Sequence, residues 1–189
     1  MSEAAPPTEN WAPLSPTHRR VLGVLIEKQK TSKSADAYPM TLNSLVTGCN
    51  QKSNRDPVTE YSDDDVEEAL GELQKLGLTL KVTGSRADRY RHLLYEAWRV
   101  SKLEMAVLAE LLLRGPQTEG DLRGRASRMD DIADLDALRT ILKGLVERKM
   151  VVYLLPPERR GTMLTHGFHT PAELERARAL IAAHVDALV

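Results

Sequence analysis

The run Asn50-Gln-Lys-Ser-Asn-Arg-Asp-Pro57 brings two cations and four amide or hydroxyl side chains together in eight residues. Such a set suits phosphate. Lys52 and Arg55 supply charge, Gln51, Ser53 and Asn54 supply neutral donors, and Asn or Gln side chains also read adenine edges. Further cations recur along the chain: Lys81, Arg86, Arg89 and Arg91 with His92 beside it, then Arg123, Arg125 and Arg128, then Arg159 and Arg160. Each also reads as an ordinary solvated charge. Part of the polar run reads as structural too. Asn50, Asn54 and Asp56 can bond their own backbone, Lys52 suits the negative end of a preceding helix, and Asp56-Pro57 favours a turn. A ligand or partner contact and a structured turn both account for it.

Catalytic chemistry has little support. There is no Gly-rich phosphate loop, no Gly-x-Ser-x-Gly elbow and no Cys–His pair. His166 and His169 are three apart, a weak metal signal without a third ligand. His18 at a helix start and His184 on a heptad position read as capping or packing residues, and Cys49 as a small buried apolar side chain. The carboxylates from Asp63 to Glu68 have the chemistry to bind a cation, but helix-start acids explain them fully. The expectation is a protein that is not an enzyme and uses no cofactor or metal.

The elements that position these residues repeat. Ser15-Pro16 caps a helix whose apolar stripe is Val21, Leu22, Leu25 and Ile26. After a polar linker from Thr31 to Ala37, Thr41 caps a short second helix. Ser62-Asp-Asp-Asp65 starts a third, with Val66, Ala69, Leu70, Leu73 and Leu76 as its stripe and Gly77 as its end. Leu78, Leu80 and Val82 then alternate with polar residues, Gly84-Ser85 turns the chain, and Arg89 to Tyr95 returns as a strand. The second half gives the same order. Ser101-x-x-Glu104 opens a helix with Leu103, Val107, Leu108, Leu111 and Leu112 inward, and Thr118-x-x-Asp121 opens the next. A third helix covers Leu135 to Lys149, Met150 to Leu155 is a strand, and Pro156 to Gly161 forms a hairpin tip. Val21-Leu22 aligns with Val107-Leu108, Thr41…Leu45 with Thr118…Leu122, and Leu70…Leu73 with Leu142…Leu145.

Three helices and a hairpin is the winged helix-turn-helix plan, with a three-helix bundle carrying an unrelated hairpin as the plainer alternative. The expected fold is mainly α with small β-wings: two tandem winged helix-turn-helix domains plus a C-terminal helix. The expected divisions are a disordered tail over 1–13, domains over 14–98 and 99–168, and the helix over 169–189. In that helix Leu174, Ile181 and Leu188 are spaced by sevens, which fits a homodimer seam and a helix packed on its own domain equally well.

Of the 189 residues, 42% are hydrophobic and only 4% aromatic, so aliphatic side chains must build the core. The net charge of −1 argues mildly against a stand-alone nucleic-acid binder but leaves room for a local basic face. One cysteine permits no internal disulfide, and no apolar run is long enough for a membrane span. The start lacks a signal-peptide pattern, so a cytoplasmic protein is expected.

The stretch Tyr38-Pro-Met-Thr-Leu-Asn-Ser-Leu45, the string from Cys49 to Val58 reading CNQKSNRDPV, and Leu112-Leu-Arg-Gly-Pro-Gln-Thr118 closely resemble the YceH-type family of bacterial proteins. The resemblance covers about Leu14 to Leu164. It implies tandem winged helices and a coiled-coil-like C-terminal helix, for which this sequence offers the stretch from Thr170 to Val189, but it implies no biochemical role. DNA and a protein partner both remain candidates. Winged helices commonly put the third helix in the major groove. Here Asp63, Asp64, Asp65, Glu67 and Glu68 crowd that helix start, and Asp130, Asp131, Asp134 and Asp136 crowd its counterpart. Carboxylates near phosphates cost about 1 kcal/mol per close pair at high dielectric. DNA is therefore expected at the polar loop and wings, and a scaffold that binds other proteins is the alternative.

Overall fold

The computed structural model describes residues 11–84 and 86–187. Among these the chain is mainly helical, with two small antiparallel sheets. The first half contains α1 (Pro16–Thr31), a 3-10 turn (Ala35–Ala37), β1 (Met40–Thr41), α2 (Leu42–Cys49), α3 (Asp63–Lys75), β2 (Thr79–Val82) and β3 (Arg89–His92). The short α4 (Leu94–Trp98) leads to α5 (Lys102–Arg114), α6 (Glu119–Ala126), α7 (Leu135–Glu147), β4 (Val151–Tyr153), β5 (Leu164–His166) and α8 (Pro171–Ala187).

Helix starts follow local chemistry. Ser15, Thr41 and Thr118 accept backbone N–H groups at the starts of α1, α2 and α6. Ser62 with Asp65, and Ser101 with Glu104, form complete capping boxes. The helix ends repeat as well. Gly77 after α3 has φ 77°, and the Leu78 N–H reaches back 2.9 Å to the Leu73 carbonyl. After α7, Lys149 takes the same left-handed place at φ 60°, and the Met150 N–H bonds the Leu145 carbonyl at 2.9 Å. Each hairpin then closes alike, Leu93 N–H on the Leu78 carbonyl and Gly167 N–H on the Met150 carbonyl, both at 2.8 Å. A Cβ at Gly167 would stand 1.9 Å from the Lys149 carbonyl oxygen, so glycine is required there.

In the first sheet β3 lies between β1 and β2, with Met40 opposite Tyr90 and Lys81 opposite Tyr90 on the other side. The second sheet pairs β4 with β5, and a bridge from Gln117 to Leu164 stands where β1 stands in the first. Neither β1 nor this bridge is visible in the sequence, because two residues or one show no alternation. The returning strand expected over Arg89 to Tyr95 stops at His92. Leu94 and Trp98 turn into a helix there and bury themselves in the core.

One apolar cluster runs through both halves. α1 packs against α5 more extensively than any other pair of elements, and both are buried nearly all round over Arg20–Glu27 and Met105–Leu113. A Cβ on Gly23 would lie 2.8 Å from the Leu113 side chain, so this glycine lets the two helices approach. The divisions at 14–98 and 99–168 thus follow the repeat of elements, while the core is shared. Leu103, expected inward, is exposed at the start of α5. The expected disordered tail over 1–13 reaches too far: the Trp11 Nε1–H donates to the Arg148 carbonyl at 2.7 Å, with the Arg148 guanidinium over its ring. The rest of that tail, 1–10, lies outside the described residues.

α8 packs on its own chain. Ile181 and Val185 bury against Leu154, flanked by Leu174, Ala177 and Met163. Of the two readings of the heptad spacing, Ile181 shows the helix packed on its own chain, while Leu174 stays half-buried. Leu188 lies outside the described residues.

Candidate functional site

The run from Asn50 to Pro57 is held from beneath. Arg20 on α1 donates to the Cys49 and Pro57 carbonyls at 2.9 and 2.6 Å and to Thr59 at 3.0 Å. Asn50 bonds both the carbonyl and the N–H of Tyr61 at 2.8 Å. Gln51 accepts from Lys28 at 3.0 Å and donates to the Ser53 carbonyl at 3.0 Å. Asn54, at φ 58°, accepts from Arg114 at 3.0 Å. Most of the polarity of the run therefore serves its own shape.

Arg55 requires a correction. Expected as a surface contact for nucleic acid, its side chain is 0% exposed. Its guanidinium grips Glu27 of α1 with two bonds, at 2.6 and 2.9 Å, and its Nε–H donates to the Gly48 carbonyl at 3.0 Å. A carboxylate buried among aliphatic side chains needs a partner, and the planar fork of arginine satisfies both its oxygens.

Glu27 takes a second arginine. Arg128, on the segment after α6, approaches it at 2.7 Å and lies 3.5 Å from Glu110 of α5. Glu110 also meets Arg114 at 3.1 Å and Gln117 at 3.2 Å, and Gln117 is held by Arg125 at 3.0 Å. Each half thus sends one arginine, Arg55 or Arg128, from the segment after its second helix to the same carboxylate. Burial pushes the Glu27 carboxyl up, but Arg55, Arg128 and Lys28 outweigh it and hold the group below its usual range. Burial wins at Glu110, which is raised against the pull of Arg128 and Arg114. Sequence reasoning missed this cluster. Its signal was a lone acid inside each all-round apolar helical run, Glu27 after Val24-Leu25-Ile26 and Glu110 within Ala106–Leu113.

The other expected cations divide. Arg89 donates to the Asp36 and Pro39 carbonyls at 2.5 and 2.9 Å, and Arg123 to the Ile132 carbonyl at 3.0 Å. Lys81 pairs with Asp88 at 3.3 Å and Arg159 with Asp186 at 2.8 Å. Lys52, Arg86 and Arg160 are exposed and Arg91 half-buried, with no ion pair among the described residues. Loop and hairpin meet at one place: Gln51 and Arg89 line a cleft of about 370 Å³ with Lys28 and the hydroxyls of Thr41, Ser44 and Thr47, and Asp36 also borders it. The acids at the start of α3 are exposed, and the Asp134 side chain caps α7.

Cys49 and two of the histidines are buried in the core. Cys49 is buried, and burial pushes its thiol up to about 12. His92 Nδ1 accepts the Leu94 N–H at 3.1 Å, so its proton sits on Nε2, 2.5 Å from Gln29 Oε1. Burial lowers His92 to about 4. His166 repeats the arrangement, accepting the Phe168 N–H at 3.1 Å, and burial beside His169 and Arg19 keeps it neutral. His166 and His169 stack at 4.0 Å. His18 lies 3.6 Å from Glu72, and His184, expected to pack, is exposed. Among the described residues no three His, Cys, Asp or Glu side chains are grouped to hold a metal ion, and no helix is long and apolar enough to cross a membrane.

Residues 14–162 match a protein family described as "Protein of unknown function, DUF480". A UPF0502 protein of Rhodopirellula baltica is 49% identical over 162 residues, covering 85% of this chain and 67% of the relative. A UPF0502 protein of Geobacter sulfurreducens is 49% identical over 143 residues, 75% of this chain and 64% of the relative. One from Koribacter versatilis is 40% identical over 174 residues, 90% and 80% of the two chains. The match spans only about two thirds of the length of the first two relatives. With most of its length matched, and with the YceH-type string at residues 49–58 inside the match, the chain belongs to the DUF480/UPF0502 family of bacterial proteins.

Proposed function

We propose that the chain is a non-catalytic, cytoplasmic tandem winged-helix protein that contacts duplex DNA through the polar loop and first hairpin. The order α1-β1-α2-α3-β2-β3, the strand order β1-β3-β2 and the repeat of that order from α5 to β5 support the winged-helix reading. The observation that carries the DNA reading is the shared cleft. Gln51 of the loop and Arg89 of the hairpin line it beside Lys28, so two cations from different elements converge there, with Asp36 at the border and the Thr41, Ser44 and Thr47 hydroxyls bonded within α2 and its cap. Lys52 neighbours Gln51, and Arg86 and Arg91 flank Arg89 along the hairpin. The exposed carboxylates at the start of α3 oppose the usual docking of that helix.

The test is fluorescence anisotropy of a duplex over a salt series, comparing the native chain with a Lys52→Ala/Arg86→Ala/Arg91→Ala variant. None of the three side chains anchors the fold. Loss of three phosphate contacts should weaken binding and flatten the log–log salt slope by about 3. Absence of binding at about 50 mM salt, where nonspecific binders hold DNA, would sink the reading. A protein scaffold is the second reading, favoured by the exposed apolar side chains Leu76, Leu80 and Val82. Capture of a partner that Leu80→Lys/Val82→Lys abolishes would support it.

A further inference from the structure

A cavity of about 550 Å³ lies between α8 and the second hairpin. Small-ligand sites typically measure roughly 300–1,000 Å³ and are apolar with a few polar groups. Its walls include Leu154, Met163, Ala177, Leu180 and Ile181. Leu154 and Ile181 are nearly fully buried and still line it, whereas Leu180 on α8 is 74% exposed. A buried floor with Arg176, Leu180 and His184 projecting at the rim makes an open groove of the size of a small-molecule site.

The polar groups at its edge lean positive. Arg176 borders the cavity and has no ion pair among the described residues. Glu173 also borders it, but Arg19 holds this carboxylate with two bonds, at 3.3 and 3.0 Å, and the Thr170 N–H adds a third at 3.0 Å. Its charge is therefore already compensated. His169 contributes a buried Nδ1 without a hydrogen-bond partner, 3.7 Å from Glu173, while its Nε2 meets Thr165 at 3.0 Å. His184 borders the same cavity from the next turn of α8.

We propose that this cavity binds an apolar monocarboxylate of the medium-chain fatty-acid class, its hydrocarbon body along α8 and its carboxylate at Arg176. An apolar slot beside an uncompensated guanidinium suits a molecule that is hydrocarbon over most of its length and anionic at one end. The assignment stands apart from the DNA reading, because none of its residues lies in the loop or the first hairpin.

The experiment titrates the full chain with 11-(dansylamino)undecanoic acid and follows the dansyl fluorescence, with decanoate and 1-decanol as competitors. Saturable one-to-one binding is expected. Arg176→Ala and Leu180→Glu should each weaken it by about tenfold or more, and decanol should compete about tenfold less well than decanoate. Both substituted residues are exposed, so thermal unfolding should match the native chain and separate lost binding from lost fold. Absence of saturable binding would overturn the proposal. So would binding indifferent to Leu180→Glu, or decanol matching decanoate with Arg176→Ala inert.

Discussion

In the first half the hairpin β2–β3 has β1 along one side and solvent along the other, and Leu80 and Val82 are each 37% exposed. In the second half Ile181 and Val185 of α8 pack on Leu154 at the end of β4, which is 3% exposed. The helix ends and closing hydrogen bonds are otherwise the same, down to a buried histidine whose Nδ1 accepts the N–H two residues on. The same plan thus leaves apolar hairpin side chains exposed in one copy and packs the base of the hairpin against an added helix in the other. α8 also takes Arg159 out of play through Asp186. The surface left for a macromolecular partner is mainly that of the first half, and the second half is left with an open apolar groove beside α8.

The largest expected effect strikes what the halves share. Arg55→Ala leaves Glu27 buried without its bidentate partner, with only Arg128 and Lys28 beside it, and should cost about 3–5 kcal/mol, read as a fall in the urea midpoint. Arg128→Ala should cost less, because that side chain is 26% exposed and water can replace it. A loss from Arg128→Ala equal to that from Arg55→Ala would break the distinction between them. The hairpin contrast is sharpened next. Leu154→Ala opens a cavity under α8 and should cost about 2–5 kcal/mol, whereas Leu80→Ala should stay within about 0.5 kcal/mol. Similar losses at both positions would mean that the first hairpin is also covered in solution.

Gly23→Ala tests the contact between halves. Its new methyl would press on Leu113 at 2.8 Å and should cost about 1–3 kcal/mol by overpacking. The paired histidines predict a pH effect. His92 and His166 are held neutral in the fold, with His92 lowered to about 4, so the unfolded chain binds protons that the fold refuses. Stability should fall as pH drops from about 6.5 towards about 4, by roughly 1.4 kcal/mol per pH unit for each histidine. Glu27, held low, adds to the loss only at the acid end, and Glu110, raised, offsets part of it. His92→Gln with His166→Gln should flatten the slope of unfolding free energy between about pH 6 and 5. An unchanged slope would assign the acid sensitivity elsewhere.

Much of the fold was legible because it is local. The caps at Ser15, Thr41, Ser62, Ser101 and Thr118 each bond a backbone group three residues on, and that geometry depends only on the residue types in one turn. The repeat was legible because both copies spend the same apolar spacings on the same elements. The candidate site was legible only in part. The run Asn50–Pro57 announced its polarity but not its direction. Lys52 faces solvent as expected, while Arg55, three residues later, enters the core because Glu27 waits there, 28 residues away in the chain.

The sequence by itself determined where the capped helices start, the helix–helix–helix–hairpin order of each half and the family to which the chain belongs, because caps, periodicity and a long specific string are properties of neighbouring residues. Only the tertiary structure decided that the two halves share one core, that Arg55 and Arg128 converge on Glu27, and that α8 lies on the second hairpin with a groove beside it. Those outcomes turn on which buried surfaces meet. A charge or an apolar stripe in the sequence is compatible with several partners, and only packing selects one.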